Sequence, residues 1–143
     1  MWPIRYEDRL VSWHQLRENN QNNSLEDCLL AINDWWQQCP WVPYYLHWDD
    51  IELWPDPWDL LADNRFCSLA KALGIVYTLH MISRPDITQV ELAVNGDSGD
   101  NLVLVNEGKY ILNWSAGQLL NITSPAVNIN KSVDSRAVTK KIN

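Results

Sequence analysis

Apolar positions recur at three-to-four spacing along the first half of the chain and at alternating spacing later, so helices come first and strands follow. Residues 5–18 interleave charge with Leu10, Trp13 and Leu16, the pattern of an amphipathic helix. The polar run from Glu18 to Asn23 is a turn. Ser24 is an N-cap for a second helix, in which Leu25, Cys28, Leu29, Ile32, Trp35 and Trp36 form a stripe that Cys39-Pro40 ends. Such a stripe is core, and Cys28 within it reads as an inert buried thiol. Prolines 40, 43, 55 and 57 forbid a regular element across 40–58. The rings of Trp41, Tyr44, Tyr45, Trp48, Trp54 and Trp58 are too many to be wet, so the stretch is predicted as a packed Ω-like loop with a helical turn near Tyr44. A short helix is expected over Asp59–Ala62. The third long helix is expected from Asp63 or Asn64 to Ile82. Its apolar positions from Phe66 to Tyr77, with His80 among them, cover more than one face, which makes it central and buried. Arg84-Pro85 stops it. A strand is predicted over 87–94, then a glycine-rich loop to Asp100. Strands at 102–106 and 109–114 are joined by a turn at Asn106-Glu-Gly108. Residues 115–120 read as a turn or short helix. Beyond Pro125 no periodicity is left, and there are no internal repeats.

The predicted class is therefore α+β: N-terminal helices and a buried central helix on a small antiparallel sheet, with an extended C-terminal arm. At 143 residues the chain fits one domain, assigned to 1–124, with the arm at 125–143. Charge sharpens that division. The tail holds Lys131, Arg136, Lys140 and Lys141 against Asp134, a net of +3, so of the total of −7 the body carries −10. An acidic body argues against a nucleic-acid surface and suits a tail that docks on an acidic protein neighbour or a second copy. No apolar run is long enough for a membrane span, and no signal core opens the chain. Three cysteines without framework spacing imply a reduced compartment and no zinc, so a cytoplasmic protein is expected unless the chain is phage-encoded. Nine Trp against one Phe is an unusual excess. Most of these rings are expected in the core, and a minority (Trp41, Tyr44, Tyr45, Trp48 and Trp54 of the loop are the candidates) at a partner surface.

The chemistry centres on Cys67, near the start of the third helix. A helix N-terminus lowers a thiol pKa through its unpaired N–H groups. An efficient thiol hydrolase also needs an imidazole within reach and a group to orient it. The three His, at 14, 47 and 80, all precede the strands. His80 lies 13 residues past Cys67 on one helix, roughly 20 Å away, and reads as a core histidine. His14 reads as a surface residue. His47 is left as the candidate base. The carboxylates of Asp49, Asp50, Glu52 and Asp56, and those of Asp97 and Asp100, lack a calcium-loop pattern and read as solvated loops. No cofactor or metal is implied. Exposed aromatic rings beside Asp and Asn leave a sugar-binding platform open.

Residues 57–114, under half the chain, resemble the transglutaminase-like fold in its bacterial cysteine-proteinase branch. The matching text is Cys67-Ser-Leu-Ala, Asn101-Leu-Val-Leu-Val105, Gly108 and Ile111-Leu-Asn113-Trp114. In that family the first strand opens with a His and the second closes with an Asp. Here both positions are Asn, at 101 and 113. The resemblance implies a thiol-enzyme scaffold whose site, Cys67, Asn101 and Asn113, is vestigial. The opening Trp-Pro-Ile-Arg-Tyr-Glu-Asp and the Trp-rich middle are also similar to small structural proteins of contractile-tailed phages that infect cyanobacteria. That implies a non-enzymatic virion subunit, of tail, neck or baseplate, contacting other subunits through the 40–58 aromatics and the basic tail. An active Cys67 hydrolase or transferase with His47 as base is the competing expectation.

Overall fold

The computed structural model describes residues 1–142. Helix α1 (Tyr6–Asn19) buries Arg9 and Trp13, and α2 (Leu25–Trp36) buries Cys28, Leu29, Ile32, Asn33 and Trp36. Ser24 caps α2 as its sequence position predicts, its hydroxyl oxygen accepting the Asp27 N–H at 3.2 Å.

The short helix expected over Asp59–Ala62 is present and longer, and the third long helix starts later than Asp63 or Asn64. Helix α3 (Pro57–Asp63) begins under an Asp56 cap and stops at Asn64, whose φ of 55° is left-handed. Residues 65–67 then run alongside the loop, where the Val42 N–H donates to the Phe66 carbonyl at 3.1 Å. Helix α4 (Ser68–Ile82) starts only after them. It is the buried central helix, enclosed from Leu69 through Leu79 except at Lys71. The Thr78 hydroxyl in its interior is fully used. Thr78 Oγ1 accepts the indole N–H of Trp13 at 2.9 Å and of Trp36 at 3.0 Å, and donates to the Gly74 carbonyl at 2.7 Å. At Gly74 the rings come close: a Cβ there would lie 2.5 Å from Trp36.

Five antiparallel strands form one sheet in the order β4-β3-β2-β1-β5. They are β1 (Val90–Asn95), β2 (Asn101–Val105), β3 (Tyr110–Ser115), β4 (Gln118–Leu120) and β5 (Ile129–Asp134). Alternation divides their side chains between two faces. Leu92, Val103, Val105 and Leu112 join the core around α4, while Ala93, Leu102, Leu104 and Ile111 form a second cluster on the far face. Residues 121–128 carry the chain across that far face from one sheet edge to the other, with Val127 packed on the cluster.

Two expectations fail here. Residues 118–120 are a strand. The tail is also no free arm: β5 pairs with β1 from Asn95 to Glu91, Val138 of α5 (Arg136–Thr139) is fully buried, and Lys141 Nζ donates to the Glu52 carbonyl at 3.2 Å. The domain therefore runs on past residue 124. The physical reason is that β5 is an edge strand carrying Asn130, Lys131 and Ser132 to solvent. Its order comes from backbone pairing, which leaves little hydrophobic signature.

Candidate functional site

Cys67 is the N-cap residue of α4, and its side chain makes no cap hydrogen bond. It is 5% exposed and lies at the floor of a cleft of about 350 Å³. Trp41, Tyr44, His47 and Trp48 come to the cleft from the aromatic loop, Asp100 from the β1–β2 turn, Asn101 from the start of β2, and Lys131 from β5. The Leu46 N–H faces Cys67 Sγ at 3.5 Å.

Above the first turn of α4 sits a network of amides. Ser68 Oγ accepts the Asn101 N–H at 2.8 Å. Asn113 Nδ2 donates to the carbonyls of Ser68 at 3.2 Å and Asn101 at 2.9 Å. Asn113 Oδ1 accepts from Gln37 Nε2 at 2.7 Å, and Gln37 Oε1 accepts from Lys71 Nζ at 3.1 Å. The Asn113 N–H in turn donates to Asn33 Oδ1 at 2.8 Å. Asn113 has φ 72°, a left-handed conformation that Asn tolerates better than most residues. Cys67, Asn101 and Asn113 are thus brought to one place, as their order in the chain implies. Ser68, Gln37, Asn33 and Lys71 were not singled out from the sequence. Asn33, a polar residue beside Ile32 on the buried side of α2, is the one that left a readable signal.

The histidines fall in three separate places. His47 lines the cleft, but its Nδ1 accepts the Asp49 N–H at 3.1 Å. In the neutral ring that bond leaves the proton on Nε2. Among the described residues no histidine nitrogen hydrogen-bonds Cys67 Sγ. His14 meets Glu18 at 3.0 Å on the surface. His80, expected in the core, is exposed in the last turn of α4, on the side away from the buried Leu79 and Ile82. The other thiols are electrostatically quiet. Burial pushes Cys39 up to about 12 against the pull of Lys71, and burial likewise raises Cys28.

The expected partner surface is only partly assembled. Trp41 (60% exposed) and Tyr44 (67%) stand at the cleft rim, and the Lys131 ammonium lies 5.7 Å over the half-buried Trp48 ring. Tyr45 is half-buried, hydrogen-bonded to Asp63 and stacked under Arg65. Trp54 does not belong to this surface: it is 3% exposed, and its indole N–H is spent on the His47 carbonyl at 2.8 Å. Arg136 folds onto Asp134 at 3.0 Å, Lys141 is held at Glu52, and Lys140 is exposed. Among the described residues no three His, Cys, Asp or Glu side chains converge as a metal site. Among the described residues no helix is long and apolar enough to cross a membrane.

No family model matches the sequence, and no curated protein matches it. Solved structures do match. Legionella pneumophila LapG superposes with a TM-score of 0.71 at 16% identity, covering 90% of this chain and 75% of LapG. Its calcium-bound form gives 0.71 at 15% identity over 92% and 77% of the two chains. Its EGTA-treated form gives 0.72 at 15% identity over 96% and 90%. The fold is thus LapG-like, with the helices packed on a five-stranded antiparallel sheet. At these identities the likeness carries the fold and not the activity.

Proposed function

We propose that this chain is a non-catalytic binding subunit of a larger assembly, built on a LapG-like scaffold whose thiol site has been turned to structural use. The observation that carries the reading is Asn113. Its Nδ2 donates to two main-chain carbonyls, a task no carboxylate can perform. The position that would orient an imidazole is instead a clamp between β2, β3 and α4, and the position that would supply the imidazole is Asn101. An amide takes up no proton near neutral pH, so neither residue activates a thiol. A contractile-tailed phage particle is the assembly suggested by the opening heptapeptide and the Trp-rich loop. The exposed rings of Trp41 and Tyr44, with Leu53 at 79% exposure, supply contact area of the kind interfaces use.

The test is the alkylation rate of Cys67 by iodoacetamide at neutral pH, located by mass spectrometry. The expected rate is no faster than that of glutathione and is unchanged in His47→Ala. A faster rate that drops in His47→Ala identifies a working thiol hydrolase instead. Cross-linking of Trp41→Cys and Tyr44→Cys variants to neighbouring subunits in assembled particles tests the assembly; cross-links that never form there remove it.

A further inference from the structure

Resting on that non-catalytic reading, we propose that the cleft over Cys67 is a carbohydrate site that takes a neutral hexopyranose unit of a glycan. Its volume of about 350 Å³ lies within the roughly 300–1,000 Å³ of small-molecule sites. The decisive group is the Asn101 side chain. The residue is only 8% exposed and lines the cleft, yet its carboxamide joins no hydrogen bond among the described residues. Its amide atoms are not sealed from solvent, so the group opens into the cleft and is free to bond a ligand there. The groups around it differ in kind. Asp100 accepts, Lys131 donates, and the Asn101 amide does both. A sugar hydroxyl also donates and accepts at once, whereas an anion would meet the Asp100 carboxylate. Trp41 and Tyr44 stand exposed at the rim, and Trp48 is half-buried in the wall. Such rings suit the C–H faces of a pyranose, which need apolar contact without a charged partner.

An extended peptide is served less well. It docks by pairing its backbone with an open strand edge. Of the strands that reach the cleft, β1 and β2 are paired on both sides, Val94 with Asn101 and with Lys131, and only the outer edge of β5 is open.

The experiment is a nitrogen-proton correlation titration of the full chain with chitotriose, maltotriose and mannotriose, and with tetraalanine as the peptide arm. Expected is a saturable shift of the Asn101 side-chain amide and the Trp41 indole with at least one trisaccharide in the millimolar range. Trp41→Ala and Asn101→Ala each weaken it by about tenfold or more, and Val11→Ala, on the exposed face of α1 outside the cleft, does not. No cleft shift with any trisaccharide overturns the site, as does a shift unchanged in Trp41→Ala or a tighter response to tetraalanine. None of these touches the non-catalytic reading, which the alkylation rate decides. A trisaccharide that binds and is recovered intact supports the site. One that binds and leaves a covalent adduct on Cys67 supports the site while overturning the absence of catalysis.

Discussion

Asn113 Nδ2 hydrogen-bonds the main-chain oxygen of Asn101 at 2.9 Å, which ties the end of β3 to the start of β2 directly above the first turn of α4. The same nitrogen reaches the Ser68 carbonyl, so one amide joins three elements. Restoring a carboxylate here is therefore expected to break structure before it restores chemistry. Asn113→Asp loses both donations and turns a charge toward two carbonyl oxygens, with Gln37 as its remaining donor. We expect a loss of about 2–4 kcal/mol in urea unfolding at neutral pH. The acid form regains one donation, so the aspartate's pKa is raised on folding. The deficit is then full at about pH 7 and shrinks as pH falls through that raised value; a deficit that grows toward about pH 5 contradicts the clamp.

Thr78 offers a separate check on how the Trp-rich core is satisfied. Both Trp13 and Trp36 spend their indole N–H on its hydroxyl. Thr78→Val keeps the shape and leaves two buried donors without partners, which is expected to cost about 2–5 kcal/mol. Thr78→Ser keeps the hydroxyl and is expected to cost about 1 kcal/mol. Equal urea midpoints for the two variants would show that the indoles find other partners.

Gly74 sits on a buried helix, where alanine would normally gain about 1 kcal/mol. Here the added Cβ meets Cη2 and Cζ3 of Trp36 at 2.5 Å. The ring cannot swing aside easily, since its N–H is held by Thr78 and its faces meet Trp35, Trp2 and Phe66. Overpacking wins, and Gly74→Ala is expected to be destabilising by about 1–3 kcal/mol net, read from thermal and urea unfolding.

These three sites also show what the sequence discloses. The α2 stripe, the buried α4 and the strand pair at Asn101 and Tyr110 declare themselves, because each buries a face with a regular period. The thiol and the two asparagines could be aligned by chain order alone. The delay of α4 to Ser68 could not: residues 65–67 look like the start of a helix until the loop backbone beside them is known. The fate of single rings was equally hidden. Trp54 and Trp41 have the same composition around them, yet one is core and the other rim, decided by loop packing against α4 and its neighbours.

The tail carries little sequence signal for the same reason that its order is testable. β5 is held by backbone pairing with β1 and by Val138, not by an apolar stripe. Amides of 129–134 that pair with β1 are expected to show slow hydrogen exchange in the isolated chain, and limited proteolysis is expected to spare residues past 125. Val138→Ala should cost about 1–3 kcal/mol through the cavity it leaves. Rapid exchange across the whole of β5 would return the segment to the status of a free arm.

The protein is expected to weaken at alkaline pH, and the sign follows from burial. Cys39 is pushed from an ordinary thiol value near 9.0 up to about 12, chiefly by burial. Tyr45 is raised to about 12 by burial and then by its Asp63 hydrogen bond, and Tyr77 is raised by burial as well. Each of these acids has a folded pKa above its unfolded one. The neutral form is kept in the folded state while the unfolded chain ionises, so the stability they permit is intact below about pH 9 and falls as pH rises toward 12. For Cys39 alone the loss between about pH 8 and pH 10.5 is expected to be about 2 kcal/mol. Cys39→Ala removes that share, so urea midpoints of the variant should decline less steeply over this window than those of the parent. If the two decline in parallel, the Cys39 thiol is not the shielded group its position implies.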